Sequence, residues 1–149
     1  MRAVLQRVSR ARVVVEGDEI GAIGPGWLVL LGVGPGDTPA VADGLADKIV
    51  KLRAFEDQAG KLNLSAADVG AQFLVVSQFT LYADLSRGRR PSFVGAAPPA
   101  QAEPLVDYVV QRLLQRGFRV ATGRFGALME VELTNHGPVT FVLSTEPWV

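Results

Sequence analysis

Residues 2–33 hold three β-type segments divided by two glycine-bearing turns, and that opening most constrains what the chain can fold into. Arg2 to Val8 alternates loosely, and Ala11 to Val15 is a β-branched run ending at the turn Glu16-Gly17-Asp18. Glu19 to Ile23 is expected to return antiparallel, and Gly24-Pro25-Gly26 turns the chain again. Trp27 to Val33 is apolar throughout and reads as a strand buried on both faces. A run of hairpins at the start argues against a doubly wound parallel sheet.

Helices come later. Thr38 is placed to cap one that starts at Pro39, whose missing N–H costs nothing there. Val41, Leu45, Ile49 and Leu52 share one stripe of that helix. Arg53 to Leu64 reads as strand and loop around a turn at Asp57-Gln58-Ala59-Gly60, and Phe73 to Leu81 as a further strand. After a Gly/Pro/Arg-rich loop from Ser86 to Pro98, a second helix is expected to begin between Pro99 and Pro104 and to stop at Gly117. Met129 to Leu133 and Val139 to Leu143 read as strands, with Asn135-His136-Gly137-Pro138 between them as a hairpin turn or something less ordinary. The expectation is one α/β domain over residues 1–149, compact and β-rich, with two main helices packed on an antiparallel or mixed sheet.

Composition excludes several chemistries. The chain has no cysteine and one histidine, so disulfides, thiolate nucleophiles and a clustered metal site are not expected. No cofactor is implied. A triad of Ser77 or Ser92, His136, and Asp84 or another acid is arithmetically possible, but the strained Gly-x-Ser-x-Gly elbow is missing. Gly32-Val33-Gly34-Pro35-Gly36 lacks the Lys-Ser/Thr of a phosphate loop and reads as a tight turn feeding a helix. The first seven residues do not read as a signal peptide, and the apolar run at residues 27–33 is far too short to cross a bilayer. A cytoplasmic protein without membrane contact is expected. Fifteen basic residues balance fifteen acidic ones. Any contact with RNA must therefore be local, and Arg87, Arg89 and Arg90 are the one concentration of positive charge, the alternative being a solvated loop. A mean hydropathy of +0.23 in so small a chain hints at apolar surface covered by a second subunit.

Two segments carry the functional reading. In Ser77-Gln78-Phe79-Thr80-Leu81-Tyr82, polar side chains gather at the end of an apolar strand, where successive backbone N–H groups can receive a developing oxyanion. In Asn135-His136-Gly137-Pro138-Val139-Thr140, a Gly-Pro bond can be cis at modest cost. That geometry would turn two carbonyl oxygens to one side, as acceptors for an ammonium group. Together the two segments resemble the paired signature of the D-aminoacyl-tRNA deacylases. The resemblance runs the length of the chain, taking in the opening Met1 to Val8, Gly32-Val33 and Arg90-Pro91-Ser92-Phe93.

The resemblance implies a D-Tyr-tRNA deacylase-like fold and a homodimer with each active site at the subunit interface. Its substrate would be the 3′ end of aminoacyl-tRNA. Ser77, Gln78, Phe79 and Thr80 would form the catalytic pocket, with the oxyanion received by N–H groups around Phe79 and Thr80. Gly137 and Pro138 of the neighbouring subunit would select chirality. Phe125 and Met129 would hold the terminal adenosine, and Arg7 would brace the Gly-Pro segment across the dimer, unless it is simply a surface arginine. Fixing the α-ammonium and the ester carbonyl leaves the side chain one direction, open for a D-residue and blocked by backbone for an L-residue. Glycine, lacking a side chain, would pass. Two rival readings remain: a sister deacylase of the same fold that edits another mischarged tRNA, and a non-catalytic module binding RNA or a small ligand.

Overall fold

A fourteen-residue strand, β1 (Arg2–Val15), organises the computed structural model, which describes residues 1–147. Along one edge it pairs antiparallel first with β3 (Gly26–Gly32), through residues 2–8, and then with β2 (Asp18–Ile23), through residues 11–15. Along the other edge it pairs antiparallel with the last strand, β8 (Glu130–Ser144). β3 then pairs parallel with β6 (Gln72–Ser77), and β6 parallel with β7 (Val120–Thr122). The sheet is therefore mixed, as expected, and its hairpins occupy the antiparallel half. A small β4–β5 ribbon (Phe55–Glu56, Leu62–Leu64) stands apart.

The two parallel connections are made by helices. α1 (Pro39–Lys51) begins where Thr38 accepts the Val41 N–H, and α3 (Pro99–Gln115) begins on Pro99. Pro104 lies inside α3 on its exposed face, so the helix proceeds although that residue cannot donate to the preceding turn. A one-turn α2 (Ala66–Val69), closed by a Ser65–Asp68 capping box, was not anticipated from the sequence pattern. α1 and α3 are tied along their exposed sides by the Tyr108 hydroxyl donating to Asp43 at 3.0 Å and by Arg116 to Asp47 at 3.0 Å.

The central strands are buried on both faces. Trp27, Val29 and Leu31 of β3 and Phe73 and Val75 of β6 pack toward α1 and α3, with Leu45, Ile49, Val109 and Leu113. The alternate residues Leu28, Leu74 and Val76 meet Val8, Val13 and Ile23 on the other side, where the long strands curl over the sheet. This two-sided burial explains why β3 reads as an unbroken apolar run.

Two sequence expectations need correction. The strand from Phe73 ends at Ser77, and Phe79–Tyr82 is a short 3-10 helix, not a continuation to Leu81. Asn135 to Pro138 is no hairpin turn either, because residues 130–144 form one continuous strand. Thr140 pairs with Gln6 and Asn135 with Val8, so residues 136–139 stand opposite Arg7 alone. The strand bulges there and then resumes its pairing, which no local rule on Gly-Pro dipeptides anticipates.

Candidate active site

The change from strand to 3-10 helix at Ser77 shapes the first half of the site. β6 runs parallel to β3 up to the Leu31–Ser77 pair, and the Gln78 N–H extends the ladder by one bond to the Leu31 carbonyl, 2.8 Å. The Leu81 N–H donates to the Gln78 carbonyl at 3.2 Å as the helical pattern begins. The N–H groups of Phe79 and Thr80 therefore precede the first helical bond and receive no acceptor from the helical pattern. Behind them, Arg2 Nη1 donates to the Leu81 carbonyl at 2.8 Å, and its guanidinium lies 4.4 Å from the centre of the Tyr82 ring. Burial, with the charges of Asp37 and Glu146, pushes the Tyr82 phenol above its ordinary range, so it stays protonated and anchors the turn without titrating.

A cavity of about 410 Å³ opens beside this turn, a size suited to a small organic group. Ser77, Gln78, Phe79 and Phe125 line it together with residues that sequence reasoning did not assign to a site. Those include Phe93 from the preceding loop, Pro98 and Pro99, and Ala102 and Val106 of α3. The wall is mainly apolar, and its polar groups sit at the strand end. Phe79 is 57% exposed and meets Phe93 edge-on, with 4.9 Å between ring centres.

Thr80 is exposed and is not among the residues lining the cavity, and its hydroxyl accepts a hydrogen bond from the Gln78 side-chain amide. An amide nitrogen cannot take up a proton at neutral pH, so this partner orients the hydroxyl without activating it. Met129 does not join the cavity. It packs in the second core, where a Cβ at Gly123 would lie 2.6 Å from its sulfur, and it faces a different hollow beside Val14 to Gly17.

The other half of the signature lies elsewhere on the chain. Gly137 and Pro138 crown the β8 bulge, exposed, with a cis peptide bond between them and the Gly137 φ at +139°. Asn135 staples the bulge, accepting from the Val139 N–H and donating to Thr140 Oγ1, both at 3.1 Å. Arg7 sits beneath it, 3% exposed, so it is not a surface arginine. Its Nε donates to the His136 carbonyl at 3.0 Å, Nη1 to the Ala54 carbonyl at 2.9 Å, and Nη2 to Glu56 at 3.1 Å. All of these partners belong to its own chain, so Arg7 holds the Gly-Pro segment from within the chain that carries it. The His136 ring and the Asp84 and Ser92 groups of a possible triad are not brought together: Asp84 and Ser92 pair through their backbones, while His136 lines a hollow with Arg7. Among the described residues, no three His, Cys, Asp or Glu side chains lie together as a metal-binding group.

The family model for D-Tyr-tRNA(Tyr) deacylase matches residues 4–144. The chain belongs to this deacylase family. A D-aminoacyl-tRNA deacylase of Heliobacterium modesticaldum is 58% identical over 143 residues, covering 96% of this chain and 95% of that protein. The solved structure of a "c-Myc DNA Unwinding Element Binding Protein" superposes with a TM-score of 0.91 at 41% identity, over 99% of this chain and 100% of the other. A structure titled as a probable eukaryotic D-amino acid tRNA deacylase gives 0.84 over 95% and 97% of the two chains, and at 16% identity it speaks to the deacylase fold alone. Both signature segments thus belong to a deacylase chain, yet within that chain Gly137 and Pro138 are not among the residues that line the Ser77–Phe79 cavity. No helix among the described residues is long and apolar enough to cross a membrane.

Proposed function

We propose that this chain hydrolyses the ester of D-aminoacyl-tRNA, releasing free D-amino acid and tRNA, as a homodimer working in the cytoplasm. One observation carries the reading: a pocket beside two N–H groups that the helical pattern does not use and a rigid, side-chain-poor backbone wedge occupy different parts of one chain. An isologous two-fold contact lets each copy deliver its wedge to the other's pocket, so one motif serves both sites.

In that complex the carbonyls of Gly137 and Pro138 hold the α-ammonium, and the N–H groups of Phe79 and Thr80 hold the ester carbonyl. A D side chain then points to open space, and an L side chain strikes backbone, which cannot rotate away. Phe125, with Phe93 and Phe79 nearby, offers the terminal adenine an aromatic slot. Met129 could reach an adenosine only at another surface than this cavity. Glycyl-tRNA, having no side chain to reject, is cleaved as well.

Chemistry needs little more. Water adds to the carbonyl carbon and the oxyanion settles on the two N–H groups, a contribution of roughly 3–4 kcal/mol from one good donor. The vicinal 2′-hydroxyl of the ribose takes up the proton of the attacking water as it passes its own to the departing 3′-oxygen. In this route Thr80 positions the substrate and is not the nucleophile, a reading supported by its hydroxyl bonding to the Gln78 amide, which is no base.

Two measurements test this. Purified protein is expected to deacylate D-tyrosyl-tRNA and glycyl-tRNA and to leave L-tyrosyl-tRNA intact; equal cleavage of both enantiomers, or cleavage by a strict monomer, overturns it. Thr80→Ala is expected to retain turnover within about tenfold, the usual lower limit for one general acid–base group being about 100-fold. Complete loss in a folded Thr80→Ala protein would restore a covalent route through the threonine.

A further inference from the structure

The loop from Asp84 to Ser92 has no part in the pocket, yet it is built with some care. Its ends are locked by reciprocal backbone bonds, Asp84 N–H to the Ser92 carbonyl at 2.7 Å and Ser92 N–H to the Asp84 carbonyl at 3.0 Å. Asp84 Oδ1 accepts the Ser86 N–H at 2.9 Å, which turns the one carboxylate at the loop base back onto the loop itself. Gly88, with φ at +68°, turns the tip. Around that tip stand Arg87, Arg89 and Arg90, all exposed and none in an ion pair with another described residue. By contrast Arg7, Arg12, Arg112 and Arg116 are each neutralised by a carboxylate.

Position gives this charge a direction. Phe93 follows Ser92 directly, lines the cavity and meets Phe79 edge-on. The basic tip therefore rises from the rim of the pocket on a locked base. In a chain of net charge zero, this is the place where positive potential collects beside the aromatic rings.

We propose that the Asp84–Ser92 loop holds the phosphodiester backbone of the RNA whose esterified 3′ end occupies the pocket, the arginines gripping phosphates while the aromatic rings receive the terminal base. The proposal rests on the deacylase reading above. It deepens that reading by assigning the RNA-backbone contact to three named residues. Arginine suits the task because its planar fork can grip two phosphate oxygens at once, and stays charged at any physiological pH.

The test compares a triple variant, Arg87→Gln with Arg89→Gln and Arg90→Gln, with a triple lysine variant and the unaltered protein. Binding of an uncharged acceptor-stem RNA hairpin ending in CCA is followed by fluorescence anisotropy against salt. Loss of three phosphate contacts makes the slope of log K against log salt shallower by about 2. Between 50 and 200 mM salt the unaltered protein then loses about 16-fold more affinity than the glutamine variant does. The lysine variant keeps most of the slope, since charge and not the fork sets it. On D-tyrosyl-adenosine, which carries no phosphate, the glutamine variant is expected to match the unaltered protein, while on D-tyrosyl-tRNA its KM rises. Equal salt slopes for the glutamine variant and the unaltered protein overturn the proposal. An equal loss on D-tyrosyl-adenosine overturns it too, because the loop would then act through the pocket wall. Should the unaltered protein leave both esters intact, the deacylase reading falls, and the hairpin slopes still decide the loop.

Discussion

Gly137→Ala is expected to lower kcat/KM on D-tyrosyl-tRNA by about 100-fold, the usual cost of displacing a substrate-positioning group by an ångström. A Cβ at this position would lie 2.7 Å from Val139 Cγ2, 2.9 Å from the Val139 nitrogen and 3.2 Å from Arg7 Nη2. Two of those three neighbours are held in place, one by the backbone and one by the hydrogen bonds that fix Arg7. The φ of +139° is also one that residues with a side chain rarely adopt. The bulge must therefore move, and with it the carbonyls proposed to anchor the substrate's ammonium. Because the bulge is exposed, the fold survives, and a midpoint within a few degrees of the unaltered protein distinguishes lost positioning from lost structure. Gly36→Ala serves as the control, since a Cβ there meets nothing within 4 Å. A Gly137→Ala protein active to within threefold would remove the wedge from the mechanism.

Arg7→Ala is expected to produce the largest loss of stability. The guanidinium is buried and satisfies two backbone carbonyls, of Ala54 and His136, together with Glu56. Removing it strands both carbonyls, at about 1–3 kcal/mol for each unsatisfied group, and leaves a void where the side chain lay. Glu56 adds little to the loss because it is 46% exposed and can rehydrate. A total of about 3 kcal/mol corresponds to a midpoint lower by about 6–12 °C in a chain of this size. Thermal unfolding followed by circular dichroism measures this directly. Activity should fall further than stability alone explains, since the His136 carbonyl is where Arg7 holds the wedge. Arg7→Lys, which cannot reach three acceptors in a fork, should recover less than half of the lost stability. A midpoint for Arg7→Ala within 2 °C of the unaltered protein would show that water replaces these bonds without cost.

The elements legible in the sequence are those whose cause is local. Thr38 before Pro39, the apolar stripe of α1, the glycine turns between β1, β2 and β3, and the two-faced apolar run of β3 all appear where residue chemistry places them. The same holds for the apolar run Phe73 to Val76 as a strand, though not for where that strand ends. What escaped was decided at a distance. β7 is three residues long and exists because β6 offers it an edge; α2 is the exception, a single turn with a local capping box, too short to show a periodicity. Phe79–Tyr82 leaves the strand as a 3-10 helix, with Arg2 from the far end of the chain holding the Leu81 carbonyl. Arg7 could not be recognised as buried, because its partners lie 47, 49 and 129 residues away.

The sequence by itself determined the family and the two segments that matter, since both depend only on which residues stand in order along the chain. It also determined the absence of thiol chemistry, because that is a matter of composition. Tertiary structure alone decided how those segments are held. Pairing on both sides of a four-residue bulge keeps Asn135 to Val139 in one strand, where local turn propensity would have folded it back. The ladder to Leu31 ends at Gln78, and there the chain leaves the strand for the 3-10 helix. Hydrogen bonds between distant residues set these outcomes, and a sequence window short enough to show a periodicity does not contain both partners.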